Sequence, residues 1–126
     1  MRTTEFDGRA GEMRESPWLA SEDIEGVGDV TVTIEKVYKH MQAEFDSGRK
    51  KDVHAIKFKG SDKQLVLNAS NRKTIVKLYG TKITDWYGKQ ITLYMIRNVK
   101  VGRELKNGIR IREQIPQPQQ EMTDEV

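Results

Sequence analysis

The side chains in this 126-residue chain with the chemistry for acid–base or metal work are two histidines, His40 and His54, and the carboxylates. Their spacing does not serve either task. The histidines are 14 positions apart, neither belongs to an H-x-x-x-H pair, and cysteine is absent, so no zinc-ligand set is legible. The central carboxylates (Asp29, Glu35, Glu44, Asp46, Asp52, Asp62, Asp85, Glu104 and Glu113) are scattered over turns and strand ends, whereas a two-metal nuclease needs them clustered. Gly26 and Gly28 give a G-x-G that lacks the third glycine of a dinucleotide loop and runs into a strand pattern. Neither a G-x-S-x-G elbow nor a phosphate-cradling Walker A run is present. The sequence reads as non-catalytic, with no metal and no cofactor.

What remains is cationic chemistry. Residues 1–26 hold three bases and seven acids (net −4), residues 27–113 hold 19 bases and nine acids (net +10), and residues 114–126 hold three acids and no base (net −3). A centre this positive between acidic ends sets up a field that attracts polyanions. With 36% hydrophobic residues the apolar supply is thin unless part of the chain needs no core, and the length suits one domain. The expected organisation is a flexible acidic arm over residues 1–26, a folded domain over 27–115 and a disordered acidic tail over 116–126. Within the arm, Trp18 and Leu19 after Pro17 are placed to pack on the domain. No apolar run is long enough for a membrane span, and "MRTTEFDGRAGEMRE" has no apolar signal region, so a cytoplasmic location is expected.

The elements that must position these charges follow from periodicity. Val30, Val32 and Ile34 alternate with Thr31, Thr33 and Glu35, and the parity shifts at Val37, which predicts a bulged strand. After the basic turn "DSGRKKD" comes "VHAIKFKG", a second strand with Ile56 and Phe58 facing inward and Lys57 and Lys59 outward. "LVLN" is a short third strand. "NASNRKTIVKLYG" then changes period: Asn68 or Ser70 can cap a helix, Ile75, Leu78 and Tyr79 share a face, and Gly80 stops it. "QITLYMIRNVKV" and "ELKNGIRIREQI" give the last two strands, with a turn signal at Asn107 and Gly108 and a break at Gly102.

Strand, strand, strand, helix, strand, strand is the layout of a five-stranded OB-fold, a Greek-key barrel with one short helix between strands 3 and 4. Ile75, Val76, Leu78 and Tyr79 would close one end of the barrel. An SH3-like barrel has no place for the helix, and an α+β sandwich is the residual alternative. In an OB-fold, ligand crosses strands 2 and 3 between the loop joining strands 1 and 2 and the loop joining strands 4 and 5. Both loops here are basic: Lys39, Arg49, Lys50 and Lys51 in the first, Arg97, Lys100, Arg103 and Lys106 in the second. Strand parity adds Lys57, Lys59, Tyr94, Arg110 and Arg112 on outward faces. Tyr38 and Tyr94 are the stacking candidates, while Phe58 and Trp86 are assigned to the core. Cations along phosphates with rings under bases are what a single strand needs. DNA is the expected ligand, and RNA stays open because 2′-hydroxyl contacts leave no mark in composition.

The run from "LVLNASNRKTIVKLYG" through "TDWYGKQITLYMIRN" to "IRIR" resembles a family of small phage and prophage proteins with an OB-fold. In these, a leucine-valine-leucine-asparagine strand, a helix ending near leucine-tyrosine-glycine, a tryptophan-x-glycine-lysine turn and an isoleucine-arginine ending recur in order. The resemblance spans about residues 28–113. It implies a bacteriophage protein of a replication or recombination module, similar to phage single-stranded DNA-binding proteins, with partner proteins recruited by an acidic tail. The tail "EMTDEV" lacks the terminal aromatic of well-known bacterial tails. The alternative expectation is a protein-interaction module, such as a phage inhibitor of a host enzyme or a replication scaffold. An exposed edge strand would permit a homo-oligomer.

Overall fold

The computed structural model describes residues 1–45 and 47–117. Five strands form one antiparallel open sheet in the order β3-β2-β1-β4-β5: β1 (Val30–Glu44), β2 (Lys50–Phe58), β3 (Gln64–Val66), β4 (Gln90–Val101) and β5 (Glu104–Ile111). The helices are few: α1 (Ser21–Ile24), α2 (Ala69–Tyr79), and 3₁₀ turns at Ala10–Met13 and Ile83–Trp86.

Strand β1 organises the sheet because it belongs to both halves. Val30 to Thr33 pair with β4, and from Ile34 onward the strand pairs with β2. The expected parity shift is a register break between Ile34 and Lys36. A bulge increases twist and bends the strand, so the two halves curl toward each other. Ile34, Ile56, Phe58 and Leu65 from one half meet Ile91, Leu93, Ile109 and Ile111 from the other. Burying each such side chain is worth about 1.5–3 kcal/mol.

Helix α2 closes one end of this core. The Asn68 side chain accepts from the Asn71 N–H at 2.8 Å, which settles the cap between Asn68 and Ser70. Ile75 is fully buried, with Val76, Leu78 and Tyr79 partly buried around it. Gly80 ends the helix at φ +92°, a conformation open to glycine. Its carbonyl accepts from the buried Trp86 indole N–H at 2.8 Å, which ties the helix end to the following turn. Phe58 and Trp86 are both core residues, as expected.

The sheet does not close into the expected barrel. Closure would need β3 to pair with β5, but backbone groups on the outer edge of each already have other partners. Gln64 in β3 exchanges hydrogen bonds with the N-terminal arm: its N–H donates to the Pro17 carbonyl at 2.9 Å and its carbonyl accepts from the Leu19 N–H at 2.8 Å. On β5, the Ile109 carbonyl accepts from the side-chain amide of Asn71 at 3.0 Å. That amide substitutes for a neighbouring strand's peptide at this point.

The arm corrects the domain boundary too. Residue 27 does not begin the fold, because Trp18 and Ile24 are buried and α1 packs on β4 and β5. Asp23 receives Lys63 at 2.8 Å and Arg14 at 3.7 Å, so part of the arm's negative charge is spent in holding it down. Of the expected tail, residues 118–126 lie outside the described residues.

Candidate nucleic-acid interface

The two loops expected to carry the cations are regular hairpin arms with short turns. Lys39 lies in β1 and Lys50 and Lys51 in β2, leaving Arg49 at the turn, where Gly48 takes φ +84°. The second hairpin turns at Gly102 and Arg103, between Val101 and Glu104, which pair. Gly102 has φ +63°, suited to the first central position of a two-residue turn. Asn107 and Gly108, the expected turn, are instead inside β5, with Gly108 opposite Ile96. A register break between Ile96 and Val99 absorbs one extra residue of β4. Arg97 and Lys100 are therefore on β4, Lys106 is on β5, and Arg103 alone occupies the turn.

Pairing separates the expected cations into two kinds. Lys57 reaches Glu35 at 3.6 Å, Lys106 reaches Glu104 at 3.3 Å, and Arg112 grips Asp29 through two hydrogen bonds of 2.9 and 3.0 Å. Lys39, Arg49, Lys50, Lys51, Lys59, Arg97, Lys100, Arg103 and Arg110 have no ion pair among the described residues. All of these but Arg110 are exposed. Unpaired exposed cations give up little on meeting an anion, whereas a paired one exchanges one partner for another.

The outward faces do not merge into one surface. Since the core lies between the two halves of the sheet, their outer faces point away from each other. Tyr38, Lys51 and Lys57 belong to the outer face of β1 and β2, and Lys59 follows just past the end of β2. Tyr94, Arg110 and Arg112 belong to the outer face of β4 and β5, where Tyr94 stands opposite Arg110. Arg112 lies 3.6 Å from the centroid of the Tyr94 ring. A single trough holding all fourteen expected residues is not what the strands build.

Sequence reasoning missed an aromatic row on the outer face of β1–β2–β3. Trp18 packs on Ala43, Val53 and Ala55, with its indole N–H donating to the Glu44 carbonyl at 2.8 Å. Phe45 lies 5.5 Å from Trp18 on one side, and His40 lies 5.3 Å away, edge-on. His40 bonds the Gln64 side chain at 2.9 Å, and Tyr38 follows at 6.1 Å from the His40 ring. Tyr38, 39% exposed, is the open end of the row. Its neighbours on the same face are Lys57 and its cross-strand partner Lys36, which is exposed. Parity after the bulge aligns Tyr38 with His40, but nothing local announces that Trp18 arrives beside them.

Among the described residues three groups titrate away from their ordinary values for clear reasons. The hydrogen-bonded Arg112 fork holds the Asp29 carboxyl below the usual aspartate value, and Asp29 in turn raises Arg112. Burial raises the Tyr79 phenol, which donates to the Gln90 carbonyl at 2.5 Å. Among the described residues no three His, Asp or Glu side chains converge as a metal set, and no helix is long and apolar enough to cross a membrane. No family model, curated protein or solved structure matches the chain.

Proposed function

We propose that the protein binds single-stranded nucleic acid, DNA in the first instance, without catalysis and with little sequence preference, in the manner of an OB-fold. The strand order and the place of α2 between β3 and β4 support an OB-type architecture whose β3–β5 seam stays open. Bases stack on Tyr38 at the end of the aromatic row, and phosphates run toward the cations of the two hairpins. The observation that carries this is the exposed Tyr38 ring on a sheet face whose hairpin carries Arg49, Lys50 and Lys51 with no ion pair among the described residues. Stacking contributes about 1–3 kcal/mol per base, and phosphate contacts make the remainder sensitive to salt. The resemblance to phage single-stranded DNA-binding proteins supports the same reading, with a replication or recombination module as its proposed setting.

Fluorescence polarisation with dT oligonucleotide, duplex DNA and RNA at two salt concentrations tests the proposal. Tight, salt-sensitive, single-strand-preferring binding is expected. A protein-interaction module is the second reading, favoured by Met41 and Leu105, which stand 65% and 66% exposed on the two hairpins. No oligonucleotide binding at low salt selects it. Cleavage of labelled DNA with magnesium or manganese, abolished by a carboxylate substitution, overturns both.

A further inference from the structure

The separation of the cations leaves a group that the first surface does not use. A groove of about 400 Å³ runs between α2 and the outer side of β5. Lys73 and Lys77 line it from the helix, and Tyr94, Arg110 and Glu113 line it from the sheet side. Lys73 and Lys77 are four residues apart and so share one face of α2. They lie about 6 Å apart along the helix axis, a step suited to successive phosphates of an extended strand. Lys73 and Arg110 have no ion pair among the described residues, and the one carboxylate in the groove, Glu113, is held by Lys77 at 3.3 Å. Arg112, fixed by Asp29, covers the Tyr94 ring and holds it in place at the groove wall.

We propose that this groove is a second phosphodiester-binding surface, so that one protomer holds two polynucleotide segments on opposite sides of its sheet. The cations supply a track of positive charge and Tyr94 a ring beside it, the same two components that single strands use elsewhere. This rests on the proposed function only in taking the first segment to lie on the β1–β2–β3 face.

The test uses the full chain with two non-complementary oligonucleotides, one labelled with a donor and one with an acceptor. Wild-type protein is expected to bring them together, giving energy transfer, and to saturate at two strands per protomer. K73A/K77A, whose changes are on exposed helix positions, and K73A/K77A/R110A should reduce transfer by about tenfold through loss of phosphate contacts, while each still binds one labelled strand. The proposal is overturned if wild-type protein saturates at one strand, if transfer survives both variants, or if polyglutamate occupies the groove as tightly as the oligonucleotide. If K50A/K51A/R97A/K100A binds like wild type while K73A/K77A/R110A loses all binding, the groove is the single strand site: the first surface fails, and the two-segment proposal is overturned with it. Failure of wild type to bind either strand ends both.

Discussion

Replacing Lys50, Lys51, Arg97 and Lys100 together with alanine should flatten the salt dependence of oligonucleotide binding. Around their turns the two hairpins carry six cations without an ion pair among the described residues: Arg49, Lys50, Lys51, Arg97, Lys100 and Arg103. If each neutralises one phosphate, log Kd against log salt has a slope of about 4, from about 0.7 per single-strand contact, and affinity falls about 300-fold between 50 and 200 mM salt. Removing four of the six leaves a slope of about 1.5. The substitution K106A serves as the internal control. Lys106 already holds Glu104 at 3.3 Å, so its removal should change the slope by well under about 0.7. Anisotropy of a labelled dT oligonucleotide across a salt series reads all three proteins. The reasoning is refuted if the quadruple variant keeps the wild-type slope, or if K106A flattens it as much per charge as the unpaired cations do.

Other outcomes follow from the packing. Trp18→Ala should destabilise the fold by about 3–5 kcal/mol, measured by denaturant unfolding, because the indole fills a cluster with Ala43, Val53 and Ala55. Deleting residues 1–26 should likewise lower stability, since Trp18 and Ile24 go with them, and the net −4 of the arm is therefore not separable from the fold by that deletion. Asn71→Ala removes the donor from the Ile109 carbonyl and should cost about 1–3 kcal/mol, seen as a lower Tm; an unchanged Tm means the seam is satisfied some other way. The Asp29 carboxyl is depressed in the folded state, so its contribution is present above the unfolded aspartate value and is lost as pH falls through the lower folded one. A carboxyl titration followed by NMR should place Asp29 below ordinary aspartates and return it toward them in Arg112→Ala.

How much of this was legible beforehand depends on the range of the interaction. Alternation in Val30, Val32 and Ile34 and the shift at Val37 marked a bulged strand, and the bulge falls between Ile34 and Lys36. Asn68, Ile75 and Gly80 marked the start, buried face and end of α2, because cap, period and left-handed stop are all set by residues within a turn or two. The hairpin turn was misplaced for a reason of the same kind: Asn107 and Gly108 carry a local turn preference, but pairing with Ile96 draws them into β5 and leaves the turn to Gly102.

The amino-acid sequence by itself determined the strands, the helix, the inward residues and a strongly basic centre, all of which are written in near-neighbour spacing. The tertiary structure alone decided which of those bases stand together. Trp18 meets Glu44 across 26 positions, Asn71 meets Ile109 across 38, and Arg112 meets Asp29 across 83. Those contacts hold the arm against the sheet, occupy the Ile109 carbonyl on the outer edge of β5 and tie the end of β5 to the start of β1. No periodicity records them, because they depend on how the whole sheet bends about the bulge in β1.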